Sequence, residues 1–415
     1  MNNELTLHQV VPFVLDCLKE YQYATTTLDV FRRHMKHVVE YYETLGYVYY
    51  APHLFETFIA HIEEEYKLGN LSSSLFWSHR KCAYYLDEYC RRGAVKPKVL
   101  TQSSNKPLAN VFEDALDFYL SSLEPSIRNS TIYQRNGAIR RYLSYFQSTG
   151  HNSFESITIF DVRKFFLHLS TSVSNRTLTQ QRLHIRQFHV FLNEKRIFSP
   201  NWLPFLDFKV VVPRKIQGYL SSEETESIMA TIDIDTNIGK RDYAIISVAR
   251  TTGLRGCDII GLKLADIDWR LGILTVSQRK TRVTIQLPLL AETGEALKDY
   301  ILNGRPKTSC CEIFVRALAP YTALSGTSSL DTILRKYEKK AHIATAPWDG
   351  KAFHGTRRGL GRNLVLAGVP VTSIMQILGQ SNLDSTKPYM MLNSPELKKC
   401  ALDFTNIPVK RGALQ

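Results

Sequence analysis

Four stretches of this chain set polar or cationic side chains among apolar neighbours. In T-T-G-L-R-G-C-D-I-I-G-L, Thr251 to Leu262, Arg255 is followed one helical turn later by Asp258. On a helix the two would share a face. Two readings fit: a partly buried Arg–Asp pair, or a guanidinium held by that carboxylate and aimed at a phosphate, which its planar fork suits. In Q-R-K-T-R, Gln278 to Arg282, Lys280 stands at the centre of a basic tip. A lysine there is either simply solvated or carried by a mobile turn into a site where it donates a proton. In F-H-G-T-R-R-G-L-G-R, Phe353 to Arg362, His354 and Arg357 fall on one helical face, as basic decoration or as two arms of a site. Gly359 and Gly361 inside that pattern each cost about 1 kcal/mol against alanine, so close backbone approach or tight packing is expected. Finally, I-M-Q-I-L-G-Q-S-N-L-D-S-T-K-P-Y places Gln380 after a Leu-Gly helix stop and Tyr389 beyond it. Read locally, Tyr389 is one of 21 tyrosines.

The elements that must hold these residues are legible around them. Ser221 and Ser222 followed by Glu223 and Glu224 make a helix start. An apolar helical run over Asp242 to Ala249 ends at T-T-G. Gly272 to Ser277 and Val283 to Leu289 alternate like strands, which makes Q-R-K-T-R the tip of a hairpin. Helical patterns dominate after Ser329, and Ser394-Pro395-Glu396 opens a tail helix with a stripe of Leu397, Cys400, Ala401 and Phe404.

Upstream, two stretches rich in proline and basic residues, Arg91 to Pro107 and Phe198 to Lys215, read as linkers. They divide the chain into 1–98, 105–200 and 215–415. The first two pieces align as copies of one unit of about four helices. Thr27 meets Thr131, Lys36 meets Arg140, Tyr41 meets Tyr145, Tyr42 meets Phe146 and Gly46 meets Gly150 at one offset. Phe58 and His61 then match Phe165 and His168, and Arg80 and Tyr85 match Arg186 and Phe191. Both copies carry cationic faces: Arg32, Arg33 and Lys36 in the first; Arg135, Arg140, Arg141, Arg176, Arg182 and Arg186 in the second. Solvation explains such a face on one helix. Its recurrence in a 415-residue chain of net charge +13 points to phosphate contacts and a nucleic-acid partner.

The seven cysteines include no C-x-x-C pair and no Cys/His cluster at zinc spacing, so they read as reduced thiols of a cytosolic protein with no metal site. The first twenty residues do not read as a signal peptide. No run of about 18 apolar residues predicts a membrane span.

In order and spacing, the four stretches resemble the tyrosine recombinases, the phage-integrase-like enzymes that break and rejoin DNA. The family's first arginine box appears as Thr252-Gly253-Leu254-Arg255-Gly256-Cys257-Asp258, and its hairpin lysine as Lys280-Thr281 before Leu287-Pro288-Leu289. Its H-x-x-R box is His354 to Arg357, its L-G-H box is Leu378-Gly379-Gln380, and Tyr389 follows at the spacing of the nucleophile. The resemblance covers roughly 215–405. It implies a mainly α protein with a small antiparallel β-sheet in the catalytic domain: two N-terminal helical domains, then a mixed α/β catalytic domain with a tail helix. The middle piece resembles the family's core-binding domain, and the first an added copy of it or an accessory DNA-binding domain.

The resemblance also implies a role for each residue. Tyr389 attacks a phosphodiester, and Arg255, Arg357, His354 and Gln380 stabilise the charge on phosphate. Lys280 protonates the leaving 5′ oxygen, leaving a 3′-phosphotyrosyl link, without metal, ATP or other cofactor. The implied partners are double-stranded DNA and three further copies of the chain, in a homotetramer on paired sites. The implied task is integration or excision of a mobile element in the cytoplasm, at the nucleoid. Two positions depart from the family. Gln380 stands where His or Trp is usual, and an amide donates to phosphate but does not exchange protons. Arg358 stands where a second His is common. Two alternatives stay open on the sequence: a DNA-binding protein with a relic site, and a nicking-closing enzyme like the type IB topoisomerases.

Overall fold

The computed structural model describes residues 5–97, 108–198, 200–213, 217–326, 328–346, 349–380 and 382. Tyr389, Pro388 and the tail helix expected from Ser394 lie outside the described residues. Two compact units are formed, one from residues 1–99 with 216–415 and the other from 100–215.

The N-terminal part folds as α1 (Leu7–Glu20), α2 (Thr25–Thr44), α3 (Leu54–Lys67) and α4 (Ser73–Arg92). The next part repeats the plan as α5 (Asn110–Ser121), α6 (Asn129–Ser148), α7 (Ile159–Ser172) and α8 (Asn175–Glu194). Each set buries its own apolar stripes. Met35, Val38, Val39 and Tyr42 of α2 close the first core. Ile139, Tyr142, Leu143 and Phe146 of α6 close the second. Equivalent contacts recur. Tyr41 stacks on His61 at 4.5 Å and meets Phe58 edge-on at 5.3 Å. Tyr145 stacks on His168 at 5.6 Å and meets Phe165 edge-on at 5.3 Å. Thr44 Oγ1 donates to the Tyr41 carbonyl and Ser148 Oγ to the Tyr145 carbonyl, both at 2.7 Å.

The fourth helices correct the sequence alignment. Ser72 Oγ accepts the Leu75 N–H and Ser174 Oγ accepts the Thr177 N–H, so both helices start at equivalent serine caps. Counting from those caps, Arg80 corresponds to Arg182, one turn before Arg186. A slip of one turn preserves the apolar pattern, so periodicity alone does not distinguish the two registers. The segment after α8, read from sequence as linker, is also packed: Phe198, Trp202 and Leu206 are buried in the second core.

The C-terminal part is built around α10 (Asn237–Thr252), whose residues from Ala244 to Ala249 are buried. Helix α9 (Ser222–Ala230) begins at the expected capping box, Ser221 with Glu224. Short α11 (Gly256–Ile260) follows α10 and leads to the antiparallel sheet β1 (Ile267–Asp268), β2 (Ile273–Ser277), β3 (Thr284–Pro288), in that order. Thr275 pairs with Gln286 and Ser277 with Thr284. This alternation puts Leu274, Val276 and Leu287 in the core. Helices α12 (Ala291–Asp299), α13 (Ser328–Lys340), α14 (His354–Leu366) and α15 (Val371–Leu378) complete the part.

Candidate active site

Helix α10 ends at Gly253 in the left-handed conformation, φ 60°. A Cβ at Gly253 would lie 2.8 Å from Leu360 and 2.9 Å from Leu378, so α14 and α15 close tightly on this corner. Arg255 comes next, as the extended N-cap of α11, with φ −70° and ψ 147°. It therefore stands outside the helix, and the expected pairing with Asp258 across a shared face does not form. Arg255 Nη1 instead donates to Gln278 Oε1 at 2.7 Å. Asp258 Oδ1 accepts the backbone N–H of Arg279 at 2.9 Å, tying the β2–β3 hairpin to α11. The arginine is held as expected, but by a different group.

The hairpin tip is closed by two backbone bonds, Gln278 N–H to Val283 carbonyl and Arg282 N–H to Gln278 carbonyl, both 2.9 Å. Lys280 is exposed on this tip. Its neighbour Thr281 donates from Oγ1 to Gln278 Oε1 at 2.8 Å.

Helix α14 opens at His354, fixed by the Phe353 N–H donating to Asp331 Oδ1 of α13 at 2.9 Å. Arg357 points inward from the first turn and is 1% exposed. Its Nη1 donates to the Gly253 carbonyl at 2.8 Å and its Nη2 to the Leu378 carbonyl at 2.7 Å. Those carbonyls end α10 and α15, where helical backbone lacks internal partners and the helix dipole is negative. One guanidinium thus bridges two helix C-termini. Arg358 is also buried and anchors the helix elsewhere, to the carbonyls of Gly218 and Gly350 and to Gln217 Oε1. Gly359 faces the same segment, and a Cβ there would lie 2.2 Å from the Leu220 carbonyl oxygen. That is the close backbone approach expected of it.

The surroundings of His354 push its pKa down to about 4, through the loss of water around the ring and then the charges of Arg358, Arg357, Arg255 and Lys280. The ring nevertheless keeps an exposed edge. The four cations add to the loss of hydration, which is the larger cause. At neutral pH His354 is a neutral imidazole, a donor and acceptor rather than a cation. Gln380 follows α15, half-buried, with its N–H on the Met375 carbonyl at 2.8 Å.

Arg255, the Lys280 hairpin, His354, Arg357 and Gln380 therefore meet around the ends of α10, α14 and α15. Three contributors escaped the sequence reading. The Gly253 and Leu378 carbonyls carry no side-chain signal. Gln278 did carry one: it continues the inward series Leu274, Val276, at a place an apolar residue would normally take.

The cationic positions of the helical parts divide in two. Arg33, Arg141 and Arg176 are exposed. So are Arg32 and Lys36, Arg32 bonded to Asp29 at 2.5 Å and Lys36 paired with Glu40 at 3.6 Å. Arg140 is paired with Glu113, Arg186 with Asp207 at 2.6 Å, and Arg182 with the Leu206 carbonyl. Arg135 donates to the Tyr119 hydroxyl at 3.2 Å.

Residues 218–395 match the model of the Phage integrase family. The integrase/recombinase y4gC of Sinorhizobium fredii is 33% identical over 191 residues, 46% of this chain and 97% of that protein. Tyrosine recombinase XerC of Bacillus licheniformis is 27% identical over 288 residues, 67% of this chain and 90% of that protein. The fold is that of a λ integrase dimer bound to a COC′ core site, with TM-score 0.54, 16% identity and coverage of 73% of this chain and 99% of that one. It is likewise that of XerH recombinase bound to a difH substrate after cleavage, with TM-score 0.56, 14% identity and coverage of 73% and 98%.

Proposed function

This chain belongs to the phage integrase family, the tyrosine recombinases, and we propose that it cuts and rejoins DNA at specific sites with Tyr389 as the nucleophile. The observation that carries this reading is the meeting of Arg255, the Lys280 hairpin, His354 and Arg357 at the end of α15, the helix from which the chain runs on to Tyr389.

A phenol, with an ordinary pKa of about 10, is a weak nucleophile at neutral pH and needs a cationic site and an activated electrophile. Attack of its oxygen on phosphorus concentrates charge on the non-bridging oxygens. Arg255 and Arg357 meet that charge with preorganised donors, aided by the neutral His354 and the Gln380 amide. The bond to the 5′ oxygen breaks as Lys280 supplies a proton, giving a free 5′ hydroxyl and a 3′-phosphotyrosyl link. Attack by a 5′ hydroxyl then reverses the step and releases the tyrosine. One phosphodiester is exchanged for another of similar energy, so rejoining needs no separate energy source.

The exposed arginines and lysine of the two helical parts, Arg32, Arg33, Lys36, Arg141 and Arg176, supply phosphate contacts that hold double-stranded DNA. The half-buried Arg135, Arg140, Arg182 and Arg186 shape that face through their internal bonds. Three functional domains result, two helical and one catalytic. Four protomers on paired sites carry out strand exchange, moving a mobile element in or out of DNA at the nucleoid.

The test is a nicked duplex whose short cleaved product diffuses away and traps the covalent complex. Wild type is expected to form the adduct and Tyr389→Phe to form none. An adduct retained by Tyr389→Phe overturns the assignment, and site-specific binding without cleavage by wild type points to a relic site.

A further inference from the structure

Gln278 lies at the centre of the site but has no role in the chemistry above. It is 1% exposed, directly after β2 at the root of the hairpin. A polar group buried this deeply is tolerated only when its hydrogen bonds are made, and Gln278 makes three. Its Oε1 accepts from Arg255 Nη1 at 2.7 Å and from Thr281 Oγ1 at 2.8 Å, and its Nε2 donates to the Leu378 carbonyl at 3.2 Å. A guanidinium only donates and a carbonyl only accepts, so these partners fix which end of the amide is oxygen.

The amide also rests against the backbone of Gly379, where a Cβ would lie 2.3 Å from Nε2. Gly379 is left-handed, φ 58°. Glycine is thus required twice there, for the turn and for the amide lying against it. The Leu378 carbonyl that takes the Gln278 Nε2 proton also takes the Arg357 Nη2 proton. One carbonyl therefore secures both arginines, one directly and one through Gln278.

We propose that Gln278 is a positioning residue that locks the Arg255 guanidinium and the root of the Lys280 hairpin to the C-terminal peptide of α15. Docking of the hairpin and aiming of the first arginine then become one event, referenced to the helix from which the chain continues to the nucleophile. This rests on the reading of Arg255 and Arg357 as the phosphate-binding pair.

Gln278→Met keeps the length and nearly the volume of the side chain and removes its three hydrogen bonds. Single-turnover formation of the covalent adduct is expected to slow by about ten- to a hundredfold. Affinity for uncleaved duplex should change by no more than about threefold, since most phosphate contacts are made by the exposed cations of the helical parts and Gln278 itself meets no phosphate. The discriminating measurement is a double-mutant cycle with Arg255→Lys. If Gln278 acts through Arg255, Gln278→Met costs little more once Arg255 has been replaced. A role in packing alone multiplies the two losses. Gln278→Leu, which likewise removes all three hydrogen bonds, enters the same cycle if the Met variant does not fold. Wild-type cleavage by the Met variant, or multiplicative losses in the cycle, overturns the proposal while leaving the active-site reading intact. Failure of wild type to form any adduct overturns that reading instead, and with it this one.

Discussion

At the scale of single residues, the two arginines are oriented by neutral acceptors among the described residues. Arg357 is held by two helix-terminal carbonyls and Arg255 by an amide oxygen. These neutral acceptors orient a guanidinium without cancelling its charge, so its field stays available to an incoming phosphate. His354 registers that field, since its depressed pKa reflects the cations beside it as well as its reduced hydration. A bound phosphodiester adds negative charge at the same place and should raise the pKa from about 4 toward the ordinary value near 6.5. Titration of imidazole-labelled protein by NMR from pH 7 to pH 5 checks this. Free protein should show His354 neutral throughout, and DNA-bound protein should show protonation beginning. An identical titration in both would place the phosphate away from His354. The side chains of this centre were legible as residue types at known spacing, whereas their partners were not. The Arg255–Asp258 pairing was misread for a local reason: Arg255 is an N-cap with extended backbone, and helical-face geometry starts only after it.

At the scale of elements, the same signals that end and begin helices also build the site. The Ser221 box, the T-T-G stop of α10 and the alternating β2 and β3 were all readable because local backbone preferences and burial agree there. The approach of the 217–220 segment to α14 was not readable, because it depends on which surfaces meet and not on any local pattern. Gly355 and Gly359 both face that segment, and Arg358 ties it down by bonds to Gly218 and Gln217. Gly359→Ala should force α14 and the segment apart, since backbone at both sides of the 2.2 Å contact has no rotamer to yield. The expected cost is about 1–3 kcal/mol of stability. Adduct formation should also slow, because His354 and Arg357 ride on the displaced helix. Thermal unfolding together with the trapping assay checks both. An unaltered midpoint would mean that the segment detaches without consequence.

At the scale of the whole molecule, the core of the second helical set surrounds a titratable group. His189 is 1% exposed, and its Nε2 lies 2.8 Å from the Tyr142 hydroxyl. Burial pushes its pKa down to about 4, against 6.5 in open chain. Between those values the unfolded chain binds the extra proton, so stability is full above about pH 6.5 and is lost as pH falls toward 4, by on the order of 3 kcal/mol. His189→Gln should lower stability at pH 7, because Tyr142 loses a well-fitted partner, yet flatten the decline between pH 6.5 and 4.5. Calorimetry of the full chain across that range checks it. A parallel decline in both proteins would show that His189 does not set the acid response. The twin helical sets have a consequence for how the chain is made. The first set leaves the ribosome before the second exists, and helices of one design threaten to dock in each other's place. Unequal side chains at matched positions guard against that exchange: Val38 in α2 answers to Tyr142 in α6, and Met35 to Ile139. A strayed α6 would bring a phenol where the first set has room for an isopropyl group, and would strand His189 without its hydroxyl. The differences between the two sets would thus work as an address, keeping each helix in its own set.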